Sequence, residues 1–153
     1  MRKFTLKILS TFFYVGYLPF IPGTFASLVG AGLFYLTKNS PFIYVLSTLT
    51  LIILGFLTAG EAEKVFGKKD ARCIVIDEIA GMLLSFMFIP YSRQTVIIAF
   101  IIFRIFDALK PYPAGSLQNL KGGPGIMCDD IVAGLYTNIV LQIVLRVFGK
   151  ISV

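Results

Sequence analysis

The sequence predicts an all-α fold, an integral membrane helical bundle with about four to five transmembrane helices. Hydrophobic residues make up 57% of the 153-residue chain and charged residues only 14%, against roughly 45–50% and about 25% in soluble domains. The mean hydropathy of +0.86 indicates the same class. Apolar runs alternate with short polar segments, and no repeat or linker divides them. We therefore expect one membrane-embedded domain over residues 1–153.

The first apolar stretch, residues 8–21, is too short to span a bilayer, since a spanning helix needs about 20 residues. Two prolines and a glycine follow within residues 18–23. Irregular backbone at membrane depth is tolerated where protein or a water-filled cavity satisfies its polar groups. This pattern predicts an N-terminal interfacial or re-entrant segment or one broken helix, with a plain loop between two helices as the alternative.

The later apolar runs are expected to form five helices. The clearest spanning run is 41–60, which has no charge in 20 positions and would make about 30 Å of helix. Small residues in the run before it, including Gly30 and Gly32, would allow close helix contact. In chain order, the five predicted helices cover residues 24–37, 41–60, 74–91, 94–109 and 130–148.

The loop charges predict the orientation. With five crossings, all eight acidic residues and most basic residues fall on one side, which the positive-inside rule makes cytoplasmic. The net charge of +6 comes without a basic stripe carrying interleaved aromatic residues, so nucleic acid is not the expected partner. Anionic lipid headgroups suit a basic membrane protein better. The basic residues on the predicted cytoplasmic side are Arg2, Lys3, Lys7, Lys64, Lys68, Lys69, Arg72, Lys110 and Lys121.

Five of the eight acidic residues lie at the edges of apolar segments. In the middle of a membrane helix, a carboxylate costs about 2.5–3.5 kcal/mol on insertion scales, so such residues usually mark a functional site. Two pairs are expected to open the third and fifth helices, where the helix dipole supports them, and one acid closes the fourth. Helices of alternating direction would bring to one depth the residues Asp77, Glu78, Asp107, Asp129 and Asp130.

This set of side chains predicts a magnesium site that binds a phosphate group. The protein contains no histidine, and Mg²⁺ prefers carboxylates, water and substrate phosphate oxygens. We expect the two acidic pairs, Asp77–Glu78 and Asp129–Asp130, to hold the metal. Arg104 and Lys110 suit a phosphate as well as they suit the acids. The glycine-rich segment 122–125 would let backbone N–H groups approach an anion.

Several mechanisms are excluded by the sequence. Without histidine there is no His-based triad and no His general base. Neither cysteine is followed by arginine six positions later, since those positions hold Ile79 and Gly134, which disfavours a cysteine phosphatase loop. No Walker motif occurs. Metal-assisted chemistry remains, in which Mg²⁺ binds phosphate and activates a water or orients a carboxylate nucleophile.

Four segments, in the same order along the chain, resemble those of the phosphatidylglycerophosphatase A family. They are GYLPFIPGTFASLVG (16–30), IDEIAGM (76–82), FRIFDALKPYP (103–113) and GGPGIMCDDIVAG (122–134). The resemblance implies a multi-pass enzyme of the bacterial inner membrane that requires Mg²⁺. Its reaction removes the terminal phosphate of phosphatidylglycerophosphate to give phosphatidylglycerol, in phospholipid biosynthesis.

Carried onto this chain, the resemblance supplies the five carboxylates as metal or catalytic groups, at an active site facing the cytoplasm. It adds Thr24 and Ser27 as candidate phosphate contacts beside Pro22–Gly23, and it supports Lys110. Two alternatives from other classes are a membrane ion or metal transporter using interfacial carboxylates and a non-enzymatic assembly subunit. The transporter predicts acids spread through the membrane depth, whereas here they cluster at one end. The oligomeric state has no signal in the sequence.

Overall fold

A computed structural model describes residues 3–148, and the regular secondary structure in this part of the chain is helical, with no β-strand. The predicted all-α class is confirmed. One 3₁₀-helix, Val15–Tyr17, separates the first two α-helices. The seven α-helices are α1 (Lys3–Ser10), α2 (Pro22–Thr37), α3 (Pro41–Phe66), α4 (Ile76–Ser85), α5 (Arg93–Leu109), α6 (Ala114–Leu117) and α7 (Gly123–Phe148).

The N-terminal segment is a broken helix. Phe12, Phe13 and Tyr14 have positive φ angles, which an α-helix cannot accommodate, and they separate α1 from the 3₁₀ turn. α1 packs against α3. The Val75 N–H donates to the Ser10 carbonyl at 2.9 Å, so the end of α1 is tied to the residue that precedes α4.

Helices α3 and α5 begin and end with recognisable capping residues. The Ser92 hydroxyl accepts from the Thr95 N–H at 3.0 Å at the start of α5, as expected of a serine N-cap. α3 begins with Pro41 and ends at Phe66, and the φ of 66° at the next residue, Gly67, is typical of a glycine after a helix. α3 thus runs six residues beyond the predicted end at residue 60 and carries the chain into the polar loop 67–75.

Helix α4 is shorter than the run 74–91 predicted it to be, because it ends at Ser85. Phe88 has a φ of 59° and Pro90 follows, so the helix cannot continue. The Asn138 side-chain amide of α7 donates to the carbonyls of Ser85 at 3.0 Å and Met87 at 2.8 Å. The carbonyls at the C-terminal end of α4 therefore receive hydrogen bonds from a neighbouring helix.

Helix α7 begins at Gly123, seven residues before the predicted start at residue 130. Proline is favoured in the first turn of a helix, so Pro124 helps to start α7 where the sequence suggested a loop. An added Cβ at Gly123 would lie 2.5 Å from the Phe56 carbonyl oxygen, which shows that this stretch packs on α3. Asp129 and Asp130 consequently lie in the second turn of α7, and the prediction that they open a helix was wrong.

Helix α4 lies among α2, α3, α5 and α7 and contacts all four. Glycine permits the closest of these crossings: an added Cβ at Gly81 would lie 2.5 Å from the Asp130 carbonyl oxygen, and one at Gly134 would lie 2.3 Å from the Gly81 oxygen. Small residues let helix backbones approach in this way. The crossing of α4 and α7 brings their carboxylates together.

Two of the described helices are long and apolar enough to cross a membrane, namely Pro41–Phe66 and Gly123–Val147. α2 and α5, with 16 and 17 residues, are shorter than the about 20 residues of an ideal span. α4, with 10 residues, would be about 15 Å long. Length and composition therefore identify two membrane-capable helices.

Candidate active site

Three carboxylates from two helices converge at the N-terminal end of α4. Asp77 and Glu78 come from the first turn of α4 and Asp130 from α7, and each offers an oxygen within 4.8 Å of the other two. Asp77 is only 6% exposed and Asp130 only 3%. Like charges at this separation and depth repel strongly, so the group needs protons or a cation to neutralise it.

Some carboxylate oxygens of the two acidic pairs have no hydrogen-bond partner among the described residues. Within residues 3–148, Asp77 Oδ1, Glu78 Oε2 and Asp129 Oδ1 are buried without one. An unpaired buried polar atom is costly, and such atoms are rare in folded proteins. A set of inward-facing carboxylate oxygens, in a protein without histidine, is the donor chemistry of a hard divalent cation. These residues therefore fit a bound metal ion.

Two ion pairs border the carboxylate group. Lys110 Nζ lies 2.5 Å from Asp129 Oδ2, and Arg104 pairs with Asp107 one turn away on α5. Burial lowers the pKa of Lys110, but its contact with Asp129 outweighs that effect and leaves the pKa raised. Lys110 therefore keeps its charge. Its φ of 45° places a non-glycine residue in the left-handed region, which is uncommon and often found at functional sites.

A cleft of about 450 Å³ opens onto this group. It is lined by Phe20, Ile21, Pro22, Gly23, Asp70, Arg72, Ile74, Glu78, Arg104, Asp107, Ala108 and Lys110. Gly23 lets the start of α2 approach the acids, since an added Cβ would lie 2.5 Å from Glu78 Oε1 and 3.4 Å from Arg104 Nη1. The cleft thus combines cations, carboxylates and the N-terminus of a helix.

The structure brings the five predicted carboxylates, Arg104 and Lys110 into one region, but only some of the carboxylates belong to the converging group. Asp129 contacts Lys110 and is not part of the three-residue group. Thr24 is half-buried and does not line the cleft. Ser27 is fully buried, and its hydroxyl donates to the Gly23 carbonyl at 2.9 Å. Gly122 and Gly123 lie against α3, and none of residues 122–125 lines the cleft.

Two charged residues of the cleft, Asp70 and Arg72, were not among the predicted site residues. They belong to the loop 67–75, where the Asp70 N–H donates to Glu63 Oε1 at 2.9 Å. A signal existed in the sequence, because a dense run of charges (KKDAR, 68–72) directly precedes the Asp77–Glu78 segment. By itself, however, such a run is usually a solvated surface.

Comparison with known proteins decides the family. The family model for phosphatidylglycerophosphatase A matches residues 8–145. The chain belongs to the phosphatidylglycerophosphatase A family. Family membership confirms the resemblance seen in the four sequence segments and implies a phosphatase. The converging carboxylates and cations lie within three of those segments.

Three relatives show how far the similarity extends along the chain. A phosphatidylglycerophosphatase A of Escherichia coli is 38% identical over 84% of the chain and 76% of its own length. One from Haemophilus influenzae is 34% identical over 89% and 86%. A Bacteroides thetaiotaomicron protein named "Putative phosphatidylinositol-3-phosphatase" is 32% identical over 96% and 98%. No solved structure matches the chain.

Proposed function

We propose that this protein is a Mg²⁺-dependent lipid phosphatase that hydrolyses phosphatidylglycerophosphate to phosphatidylglycerol and phosphate. One observation carries the proposal: three carboxylates converge beside a cleft that presents three basic side chains. Two of the three, Asp77 and Glu78, have a buried oxygen without a hydrogen-bond partner within residues 3–148. Family membership supports the phosphatase activity. It gives no support to the transporter alternative.

The metal would be held by Asp77, Glu78 and Asp130, whose oxygens converge. A bound Mg²⁺ supplies charge neutralisation and polarisation at a phosphoryl group. Asp129, predicted as a fourth ligand, also has a buried oxygen without a partner, Oδ1. Its other oxygen holds Lys110, so Asp129 positions a cation at the cleft whether or not it is a ligand.

The phosphate would be bound by Arg104, Lys110 and the first turn of α2. Both side chains line the cleft, and each is oriented by an aspartate. The Gly23 N–H belongs to the first helical turn, whose N–H groups lack acceptors within the helix, and helix N-termini attract phosphate. Ser27 holds the Gly23 carbonyl, which gives this predicted residue a positioning role. Thr24 follows Gly23 directly.

The hydrolysis itself would follow from this arrangement. The oxygen of a water molecule forms a new bond to phosphorus, and the bond from phosphorus to the terminal glycerol oxygen breaks. The attacking water gives up one proton, the leaving oxygen takes up one and becomes the hydroxyl of phosphatidylglycerol, and inorganic phosphate is released. Arg104 and Lys110 stabilise the charge that develops on the phosphoryl oxygens, as fixed cations do in phosphoryl transfer.

The proposed setting is the bacterial inner membrane, with one domain over residues 1–153 and the site at the cytoplasmic interface. In this arrangement α2, α3, α5 and α7 cross the membrane. α4 and the irregular segment 86–91 together make a fifth passage, because buried backbone can be irregular where protein satisfies it. α1 and the 3₁₀ turn lie at the interface, where exposed aromatic side chains are favoured; Phe13, Tyr14, Tyr17 and Phe20 are all at least half exposed.

A second candidate substrate is phosphatidylinositol 3-phosphate. The name of the Bacteroides thetaiotaomicron relative, which aligns with almost the whole chain, favours this lipid. Both lipids carry a phosphomonoester on a headgroup that is joined to the glycerolipid by a phosphodiester. The same carboxylates and cations would serve either one.

Phosphate release from purified protein in detergent tests the proposal. We expect release from phosphatidylglycerophosphate, loss of release with EDTA and recovery with Mg²⁺. Phosphatidylinositol 3-phosphate and phosphatidic acid are run beside it to rank the substrates. Chelator-independent release would contradict the metal requirement, and faster release from phosphatidylinositol 3-phosphate would reassign the substrate. Absence of release from every lipid phosphate would refute the proposed activity.

A further inference from the structure

One cation of the cleft has no acidic partner among the described residues 3–148. The cleft is lined by three basic side chains, Arg72, Arg104 and Lys110. Arg104 is held by Asp107 and Lys110 by Asp129. Among the ion pairs formed within residues 3–148, none involves Arg72, although Asp70 lines the same cleft. Arg72 is exposed, so its guanidinium is available to a ligand.

The backbone around Arg72 is held in place from both sides. The Asp70 N–H donates to Glu63 of α3 at 2.9 Å, and the Val75 N–H donates to Ser10 of α1 at 2.9 Å. Close packing adds to this, because an added Cβ at Gly16 would lie 2.0 Å from the Cys73 carbonyl oxygen. Arg72 therefore stands on an anchored loop at the cleft and not on a free surface loop.

The cleft is larger than one phosphate group requires. Sites that bind whole small molecules have volumes of about 300–1,000 Å³, and this one has about 450 Å³. The metal-binding acids, Arg104 and Lys110 account for the phosphomonoester. A lipid headgroup of the proposed class carries a second anionic group, the phosphodiester, which is chemically unchanged by the reaction and remains on the lipid product.

We propose that Arg72 binds the phosphodiester of the lipid substrate and so selects headgroups with two phosphates over simple phosphomonoesters. Arginine suits this task because its planar guanidinium donates two parallel hydrogen bonds to phosphate oxygens. The inference rests on the proposed lipid phosphatase function and deepens it. It applies equally to phosphatidylglycerophosphate and phosphatidylinositol 3-phosphate, since both contain the phosphodiester.

Each of the two reaction products tests one of the two proposed phosphate-binding positions separately. Dihexanoyl-phosphatidylglycerol carries only the phosphodiester, and inorganic phosphate represents the group that is released. Binding of each to the full-length protein in detergent with Mg²⁺ is measured by isothermal titration calorimetry. We expect Arg72→Gln to weaken phosphatidylglycerol binding by about tenfold or more, as for the loss of a charge-assisted hydrogen bond, and to leave phosphate binding within about twofold of the unmodified protein.

Lys69→Gln is the matched control. Lys69 is exposed on the same loop but does not line the cleft, so its loss tests general attraction between a basic loop and an anionic lipid. Arg72→Lys keeps the charge and should recover part of the phosphatidylglycerol affinity. If Arg72→Gln binds phosphatidylglycerol as tightly as the unmodified protein, or if Lys69→Gln loses as much affinity, the inference is wrong.

A parallel assay distinguishes failure of this inference from failure of the proposed function. In phosphate release, Arg72→Gln should raise KM for phosphatidylglycerophosphate about tenfold with kcat changed less than about twofold, because Arg72 holds a group remote from the reaction. Normal release with unchanged KM would overturn the role of Arg72 alone. Weakened phosphatidylglycerol binding by a protein that releases no phosphate would overturn the enzymatic function and retain the lipid site.

Discussion

The two ends of α4 differ in whether their buried polar groups are hydrogen-bonded. At the C-terminal end, the Asn138 amide donates to the Ser85 and Met87 carbonyls, and Gln142 in turn donates to Asn138. The Tyr44 hydroxyl donates to the Leu83 carbonyl. Near the N-terminal end, three acids each have a buried side-chain oxygen that lacks a hydrogen-bond partner within residues 3–148. They are Asp77, Glu78 and Asp129.

This difference separates structure from function along one short helix. Satisfied polar groups stabilise a helix that stops inside the protein, so the Asn138 end needs nothing further. Buried carboxylates without partners are costly in the absence of a ligand. We therefore infer that the N-terminal end of α4, at Asp77, binds a ligand. Removing groups at the first end should change stability, and removing groups at the second should change activity.

The largest expected effect is on catalysis. Asp130→Asn keeps the shape of the side chain but removes a charge from the proposed metal group, and we expect phosphate release to fall at least about 100-fold. The variant should remain folded, because one source of repulsion among the buried acids is lost. Glu61→Gln is the control, since Glu61 is exposed and pairs with Lys64 outside the cleft. Full activity of folded Asp130→Asn would remove the carboxylates from the mechanism.

Metal removal should lower stability at the same end. A metal present at 100 times its Kd stabilises the folded state by about 2.7 kcal/mol. Thermal unfolding in detergent should therefore occur at a lower temperature in EDTA and be restored by Mg²⁺. Asp77→Asn should reduce this difference, whereas Glu61→Gln should keep it. An unfolding temperature that is indifferent to Mg²⁺ in the unmodified protein would argue against a metal at Asp77, Glu78 and Asp130.

The satisfied end of α4 predicts a pure stability effect. Asn138→Ala leaves the Ser85 and Met87 carbonyls without a donor, which should destabilise the protein by about 1–3 kcal/mol. Phosphate release per folded molecule should be unchanged, because Asn138 lies at the other end of α4. Asn119→Ala, which removes an exposed hydrogen bond to the Gly115 carbonyl, should have little effect on either quantity. A selective loss of kcat in Asn138→Ala would break the division between the two ends.

The smallest effect is expected outside both regions. Lys64 and Glu61 form an exposed ion pair at 2.5 Å, with side chains 73% and 55% exposed. Such pairs contribute about 0–1 kcal/mol, so Lys64→Ala should leave the unfolding temperature and phosphate release almost unchanged. A clear loss of activity would show that the charged surface around the cleft takes part in binding the lipid.

Much of the fold could be predicted because apolar runs, and the prolines and glycines that mark helix boundaries, are local signals in the sequence. Helices α2, α3 and α5 were predicted close to their observed positions. The start of α7 was not, because Gly122, Gly123 and Pro124 are typical of a loop, and only the packing of the two glycines against α3 distinguishes them from one. The premature end of α4 at Ser85 was also missed, since the sequence around it, from Ile79 to Ile89, is mostly apolar. The shortened helix depends on Asn138, distant in sequence, which donates to the Ser85 and Met87 carbonyls.

The sequence alone determined the all-α class, the family and the chemistry of the site: carboxylates without histidine, accompanied by arginine and lysine. These follow from residue types and local spacing. Only the tertiary structure decided which acids meet, because the close crossing at Gly81 and Gly134 places Asp130 beside Asp77 and Glu78 and leaves Asp129 to Lys110. It also decided that, within residues 3–148, Arg72 is the basic residue of the cleft that forms no ion pair. Convergence depends on how backbones approach one another, and side chains far apart in sequence carry no local sign of it.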